Sequence, residues 1–301
     1  MDVHDVVTIG GGPAGLAAAL WLARYRLRTC LFDSNQARNA PTWAVHGYLG
    51  LPDPSPDTLR RIGREQARQA GASLIDAIVM NIHGEIGEFE VSTADGPTVV
   101  ARRVLFATGL RDIIPEIPGL RTFYGTSIWH CADCDGPSVE GLRIGVIGWG
   151  RRIAAFCMQM LTWTDRMTIL THGKLPDMTD RAWESLKRFG VEVNTSPIKA
   201  IEGSSGAVER VVYADGGSEP FDALFFHIAY GPGCGIPAAL GCEADDEGIL
   251  KVDSNLQTTV PGVYAAGDIT PGSKLAIRAA AEGTRAAIGI YRSLLPRERR
   301  V

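Results

Sequence analysis

Two cysteines separated by two residues, Cys131 and Cys134, carry the clearest chemical signal in this sequence. A C-x-x-C spacing suits either a redox-active dithiol or half of a zinc site. Zinc would need a second cysteine pair or a histidine pair at ligand spacing, and the six histidines offer none near Cys131. We therefore predict a redox-active pair and no metal.

The spacing also places the two cysteines one helical turn apart. If Cys134 lies in the first turn of a helix, the unpaired amides there would stabilise a thiolate, which is the reactive form of cysteine. Such a dithiol can exchange electrons with an external disulfide in either direction, according to redox potential.

A glycine-rich turn near the start of the chain predicts a dinucleotide site. Gly10, Gly12 and Gly15 follow a β-branched run at residues 6–9 and precede a helix rich in alanine and leucine. Glycines at these positions allow a sharp turn and close approach of the backbone to a pyrophosphate. Asp33 ends the next strand, where such folds place an acid that binds ribose.

The strand, turn and helix pattern recurs in the middle of the chain. Residues 143–147 form the second strand of this kind, followed by Gly148-Trp149-Gly150 and a helix at 152–161. We predict an α/β fold of two Rossmann-like three-layer domains, the second inserted into the first. The first domain takes residues 1–114 and 243–301, and the second, which carries the C-x-x-C, takes 115–242. A dithiol between two nucleotide folds indicates a flavin-driven disulfide enzyme.

Composition excludes several other classes of protein. A net charge of -4, spread along the chain, leaves no basic stripe for nucleic acid. No apolar run is long enough for a membrane span, and the N-terminal residues lack the pattern of a secretory leader. We therefore expect a cytoplasmic protein that contacts neither nucleic acid nor membrane. Buried thiols account for Cys30, Cys157, Cys234 and Cys242.

Along nearly its whole length the sequence resembles the low-molecular-weight thioredoxin reductases. The motifs that carry the resemblance follow that family's order: the GGGPAG turn at Gly10, Ala107-Thr108-Gly109, the CADCDG segment at Cys131, and Gly267-Asp268. The resemblance implies FAD in the first domain, with Asp268 on the ribityl–phosphate arm and the backbone after Lys274 facing the flavin ring. The predicted cofactor-binding residues are Gly10, Gly12, Pro13, Ala14, Gly15, Asp33, Asn39, His46, Thr108, Gly109, Gly267, Asp268, Lys274, Leu275 and Ala276.

The same resemblance implies roles for the C-x-x-C segment. Cys134 would face the flavin, Cys131 would exchange with a thioredoxin-like protein or a small dithiol or disulfide, and Asp135 would be the neighbouring acid–base group. Asp133 is expected to be a capping or surface acid. The family also implies a homodimer.

The second nucleotide domain departs from the family. Ile153 stands where a small residue permits close packing, and Thr171-His172-Gly173 replaces the arginine pair expected after the strand that ends at Leu170. Arg151 and Arg152 could still bind phosphate. We predict that NADPH, although it remains a possible ligand, is not the working electron donor.

Two other functions stay open. The loop that contains Arg38, Asn39 and His46 resembles a branch of the superfamily with the dithiol oxidases of holomycin and gliotoxin biosynthesis, which pass electrons from a dithiol through FAD to oxygen. In that case His46 is either a base near the dithiol or a structural residue. The third candidate is a non-catalytic flavin redox sensor.

Overall fold

The computed structural model describes residues 2–299 and divides the chain into two compact units. The first unit contains residues 1–40, 47–111 and 230–301, and the second contains 41–46 and 112–229. The predicted domain boundaries at 114 and 243 differ from these by 3 and 13 residues, because the crossings lie within strands and not in the loops after them. Met1, Arg300 and Val301 lie outside the described residues.

The strands are numbered in chain order. They are β1 (Asp2–Ile9), β2 (Thr29–Asp33), β3 (Ser73–Asp76), β4 (Val79–Glu85), β5 (Glu88–Thr93), β6 (Val99–Phe106), β7 (Leu110–Ile113), β8 (Ile128–Trp129), β9 (Ile144–Ile147), β10 (Met167–Leu170), β11 (Glu192–Asn194), β12 (Ile198–Ser204), β13 (Ala207–Tyr213), β14 (Ser218–Pro220), β15 (Ala223–Phe226), β16 (Ala229–Pro232) and β17 (Val263–Ala265).

The helices are numbered in the same way. They are α1 (Pro13–Arg24), α2 (Pro56–Gln69), α3 (Leu120–Phe123), α4 (Ala132–Asp135), α5 (Ile153–Met160), α6 (Asp180–Arg188), α7 (Ile236–Ala239) and α8 (Ala276–Leu294), with short 3-10 turns at Gly136–Val139 and Arg297–Arg299. No helix of residues 2–299 combines the length and the apolar character that crossing a membrane requires.

The first unit is built on a parallel sheet in the order β3-β2-β1-β6. The second half of β6 pairs with β17, and its first half pairs with the antiparallel hairpin β4–β5. Because side chains alternate along a strand, β1 serves two cores. Val6 packs with helices α1 and α8, whereas Val7 packs on the opposite face with Phe89 of the hairpin.

The second unit has a parallel sheet in the order β11-β10-β9-β15-β8. Helices α5 and α6 cover one face, where Val146 and Ile169 are fully buried. The antiparallel sheet β12-β13-β14 covers the other face, where Ile147 and Leu170 are fully buried. Both units are three-layer α/β structures, so the predicted fold class is confirmed.

The sequence predicts a helix at residues 57–70 capped by Asp57 and one strand at residues 73–82, and the structure differs from both predictions. Helix α2 is capped by Ser55, whose hydroxyl accepts the Thr58 amide at 3.1 Å, and Asp57 lies in the first turn instead of at the cap. Proline at Pro56 suits the first helical position, which moves the cap one residue upstream of it. The single strand expected at 73–82 is two strands, since β3 joins the parallel sheet and β4 turns to pair with β5.

Helices α1 and α8 approach each other closely enough to exclude a side chain. A Cβ at Gly283 of α8 would overlap the backbone of Ala14 in α1. Alanine is ordinarily the better helix former, but here it must push two helices apart.

We expect Gly283→Ala to destabilise the protein by about 2 kcal/mol, the usual cost of overpacking a core. Gly235→Ala is the control, because that glycine has φ -87° and an added Cβ would meet nothing within 4 Å. Urea unfolding of both variants measures the difference. Equal stabilities would contradict the close approach.

Candidate active site

The glycine turn of the first unit is tight. Strand β1 ends at Ile9 and α1 begins at Pro13, with Gly12 as its N-cap. Gly10 has φ +105°, and a Cβ there would overlap the carbonyl oxygen of Ala107. A Cβ at Gly15 would overlap the carbonyl of Gly10. Glycine is therefore required at both positions by contacts within the protein.

The other predicted nucleotide residues of this unit gather at the same turn. Ala107, with Thr108 and Gly109, follows β6 and contacts Gly10 and Gly15. Gly267, after β17, lies against Ala14 at the start of α1. The long-range packing thus brings together three segments that are far apart in sequence.

Asp268 and Lys274 occupy the loop between β17 and α8. The carboxylate of Asp268 forms an ion pair with Arg38 at 3.1 Å, and Asn39 follows Arg38 in the same turn. Lys274 Nζ donates to the carbonyl oxygens of Asp268 and Thr270 at 2.7 and 2.8 Å. Burial lowers the pKa of Lys274 from its ordinary value, which the nearby Asp268 carboxylate partly offsets. Through its two hydrogen bonds Lys274 connects the end of this loop to the backbone at Asp268 and Thr270.

Helix α8 begins directly after this loop, with Leu275 as its N-cap and Ala276 as its first residue. Leucine has no side-chain acceptor, and no cap hydrogen bond is formed. The first backbone amides of α8 have no acceptor within the helix, so this end carries the positive end of the helix dipole.

The residues at this site fit a dinucleotide such as FAD. The Thr108 hydroxyl is buried without a hydrogen-bond partner in the protein. An added Cβ at Gly12 would meet no atom within 4 Å, so open space lies over the uncapped N-terminus of α1. An amide-lined space of this kind at a helix N-terminus suits a pyrophosphate.

Asp33, predicted to bind ribose, is engaged by two arginines that sequence reasoning missed. Its Oδ2 accepts hydrogen bonds from Arg60 at 2.7 Å and from Arg64 at 3.0 Å. Its Oδ1 accepts a hydrogen bond from the backbone N–H of Asn35 at 3.1 Å. The carboxylate also lies against Gly11, beside the turn. The i, i+4 spacing of the arginines on α2 was the available signal. The ribose contact itself stays a prediction.

In the second unit Cys131 and Cys134 form a disulfide. Cys131 is the N-cap of α4, and Cys134 lies in its first turn, which is the condition given above for a stabilised thiolate. The Cys134 amide donates to Cys131 Sγ at 3.1 Å. After reduction this amide can stabilise a thiolate on Cys131, because a backbone donor at a helix start favours the anion.

Asp135 follows the second cysteine and is only 6% exposed. Burial raises the pKa of its carboxyl from 3.8 to about 6, although the charge of His46 lowers it. A carboxyl with this pKa can both hold and release a proton near neutral pH. His46 belongs to the segment 41–46, which is part of the second unit, as the dithiol is.

A further chain of polar groups precedes the dithiol. The Nδ1 of His130 lies 3.0 Å from the Tyr124 hydroxyl, and its Nε2 lies 3.7 Å from a carboxylate oxygen of Asp112. Sequence reasoning missed these residues, although a histidine directly before Cys131 was a visible signal. Asp133, as expected, is exposed and accepts from Gln159 at 2.5 Å.

The nucleotide turn of the second unit differs from that of the first. Five residues, 148–152, separate β9 from α5, against three between β1 and α1. A Cβ at Gly148 would lie 2.6 Å from Cδ1 of Ile153, so the isoleucine fills the space beside the turn. After β10, His172 Nδ1 accepts the Ile198 amide at 2.9 Å. The turn and the residues after β10 thus lack the small residue and the arginine pair that were expected at an NADPH site.

The model of the pyridine nucleotide-disulphide oxidoreductase family matches residues 4–283 of the chain. The chain belongs to this family. Its relatives include thioredoxin reductase tcpT of Claviceps purpurea (strain 20.1), 31% identical over 282 residues, with 89% of this chain and 87% of that protein covered.

Thioredoxin reductase aclD of Aspergillus oryzae (strain ATCC 42149 / RIB 40) is 30% identical over 305 residues, covering 97% of this chain and 96% of that protein. The crystal structure of HlmI superposes with a TM-score of 0.90 at 33% identity and covers 96% and 92% of the two chains. The family uses FAD, and its members commonly use NADPH. The protein is therefore a thioredoxin reductase-like flavoprotein disulfide oxidoreductase.

The open space at Gly12 gives the first test of the site. Because φ is -78° there and no atom lies near, Gly12→Ala should fold with unchanged stability as apoprotein. The new methyl group would occupy the space over the α1 amides, so we expect FAD to bind at least about ten-fold more weakly. Titration of apoprotein with FAD measures this, and unchanged affinity would exclude Gly12 from the pyrophosphate site.

The buried carboxyl of Asp135 makes stability depend on pH. Because its pKa is raised in the folded state, the native protein binds the proton more tightly than the unfolded chain does. Stability should therefore fall as pH rises from about 4 to about 6, by about 3 kcal/mol at 1.36 kcal/mol per pH unit.

Asp135→Asn lacks this titration. We expect the variant to exceed the wild type in unfolding free energy above pH 6 and to match it below pH 4. Asp133→Asn, two residues away and exposed, is the control. Denaturant unfolding across this pH range measures the difference, and a pH-independent difference would contradict the raised pKa.

Proposed function

We propose that the protein moves an electron pair between FAD and the Cys131–Cys134 disulfide, and from there to or from the dithiol or disulfide of a thioredoxin-like protein. The observation that carries the proposal is the hydrogen bond from the Cys134 backbone amide to Cys131 Sγ. This bond favours Cys131 as the attacking thiolate. FAD, when bound, supplies or accepts the electron pair.

The exchange with a partner uses the two cysteines in turn. The Cys131 thiolate attacks one sulfur of the partner disulfide, a mixed disulfide forms, and a partner thiolate leaves. Cys134 then attacks Cys131 Sγ and releases the second partner thiolate. The partner gains two electrons and two protons, and the Cys131–Cys134 disulfide is restored. The reverse sequence oxidises a partner dithiol.

Asp135 is proposed to manage the proton of this exchange. A carboxyl with a pKa of about 6 is mostly ionised at neutral pH and can accept the Cys134 proton before the second attack. Burial raises this pKa and His46 lowers it, so His46 keeps the carboxyl available as a base. This gives His46 a role at Asp135 in the second unit, and its contact with FAD stays a prediction.

A second candidate is the oxidation of a small dithiol with oxygen as acceptor. The effect of the His46 charge on the Asp135 carboxyl supports it, because a carboxyl that is kept ionised can accept a proton from an incoming dithiol. This reaction needs no pyridine nucleotide and releases hydrogen peroxide. The homodimer and the cytoplasmic location stay predictions.

The cysteine roles can be separated with single variants. Under anaerobic photoreduction, we expect the wild type to reduce an oxidised thioredoxin and both Cys131→Ser and Cys134→Ser to lose turnover. Cys134→Ser should accumulate a mixed disulfide on Cys131, because the resolving thiol is missing. Mass spectrometry of the trapped complex measures this. Full turnover in either variant would refute the proposal.

NADPH can be tested by stopped-flow absorbance. Because Ile153 fills the turn and His172 is bonded to the backbone, we expect NADPH to leave the flavin absorbance unchanged on the millisecond timescale. Photoreduction of the same sample should bleach it and serves as the positive control. Rapid bleaching by micromolar NADPH would make NADPH the donor.

A further inference from the structure

One buried acid in the first unit has no part in the predicted site. Glu282 of α8 is 6% exposed, and its carboxylate accepts three donors. Oε2 accepts the Gly267 amide at 2.9 Å and the Thr270 hydroxyl at 2.5 Å, and Oε1 accepts the Arg278 guanidinium at 2.5 Å. A buried carboxylate is costly unless its oxygens are satisfied, so these bonds fix the groups around it.

Two of these donors belong to the turn that contains Asp268. The Thr270 hydroxyl, fully buried, also lies 2.7 Å from the Gly267 carbonyl and closes the turn from within. Lys274 holds the carbonyls of Asp268 and Thr270 from the other side. The backbone at Asp268 is therefore held between the buried carboxylate of Glu282 and the half-buried ammonium of Lys274.

The third donor connects Glu282 to the start of α8. Arg278 donates to the carbonyl oxygens of Pro271 and Ser273, the latter at 2.8 Å, while its guanidinium also reaches Glu282. The segment that leads into the Leu275 cap is thus held by the same network. One carboxylate organises both the Asp268 turn and the approach to the first amides of α8.

We propose that Glu282 is a positioning residue of the flavin site. Through Gly267, Thr270 and Arg278 it sets the place of Asp268 and of the α8 N-terminus, without touching FAD itself. The inference rests on the proposed assignment of Asp268, Leu275 and Ala276 to FAD and is independent of the thiol exchange. A glutamine at position 282 has one acceptor oxygen and no charge, so it cannot accept from the Gly267 amide and from Arg278 on separate oxygens as the carboxylate does, and the turn must shift.

The test compares two pairs of variants by FAD titration of apoprotein. We expect Glu282→Gln and Thr270→Val each to weaken FAD binding by about ten-fold, and the double variant to lose little more because both act through one network. Thr270→Ser keeps the hydroxyl and should stay within about two-fold of the wild type. Glu243→Gln, an exposed acid paired with Lys251, should do the same.

Two further measurements separate positioning from general stability. A shifted turn should change the visible circular dichroism of bound flavin, and the thermal unfolding of apoprotein shows whether the variant folds. Unchanged FAD affinity would overturn the proposal, and so would weaker binding with an unaltered flavin dichroism. If Glu282→Gln does not fold, Thr270→Val decides by the same criteria. Loss of thiol exchange does not enter these readouts.

Discussion

The structure of the first unit depends on a close approach of backbone to backbone at the start of α1. Four glycines stand where an added Cβ would overlap a neighbouring segment: Gly10, Gly15, Gly267 and Gly283. At Gly267 and Gly283 the added Cβ would meet Ala14. Because no side chain separates these segments, the N-terminal amides of α1 lie open beside Thr108 and the Asp268 loop. The turn is packed tightly at Gly10 and Gly15 and has open space at Gly12, and together these features suit the binding of a pyrophosphate.

Three buried acids illustrate how the surroundings decide what a carboxylate does. Glu282 is surrounded by donors, and so it can serve as a fixed anion that organises a turn. Asp33 is likewise matched by Arg60 and Arg64. Burial raises the pKa of the Asp135 carboxyl to about 6, and the charge of His46 offsets this only in part. Of the three acids, Asp135 is the one that follows a redox cysteine in the sequence, where the proposed exchange moves a proton.

Local patterns in the sequence were enough for the fold class, the glycine turn and several elements, such as β9 at Ile144–Ile147 and the end of β10 at Leu170. Each of these features is set by residues near one another in the chain, where strand and helix periods are informative.

Contacts between distant segments were not accessible in this way. The bonds of Glu282 to the Gly267 turn, of Asp33 to two arginines of α2, and of His130 to Asp112 depend on packing that no local period encodes. The placement of His46 in the unit of the dithiol has the same origin, because segment 41–46 leaves its sequence neighbours for the second unit. The cap of α2 was missed for a local reason, the preference of proline for the first helical position.

The proposed reaction requires that FAD and the Cys131–Cys134 disulfide of the same molecule exchange an electron pair. The direct measurement is anaerobic photoreduction of the holoenzyme in steps, with the free thiols alkylated and assigned by mass spectrometry after each step. We predict that Cys131 and Cys134 become alkylated together, in proportion to the electrons supplied, while Cys30, Cys157 and Cys242 stay unmodified. A flavin that bleaches fully while Cys131 and Cys134 remain a disulfide would contradict this electron transfer.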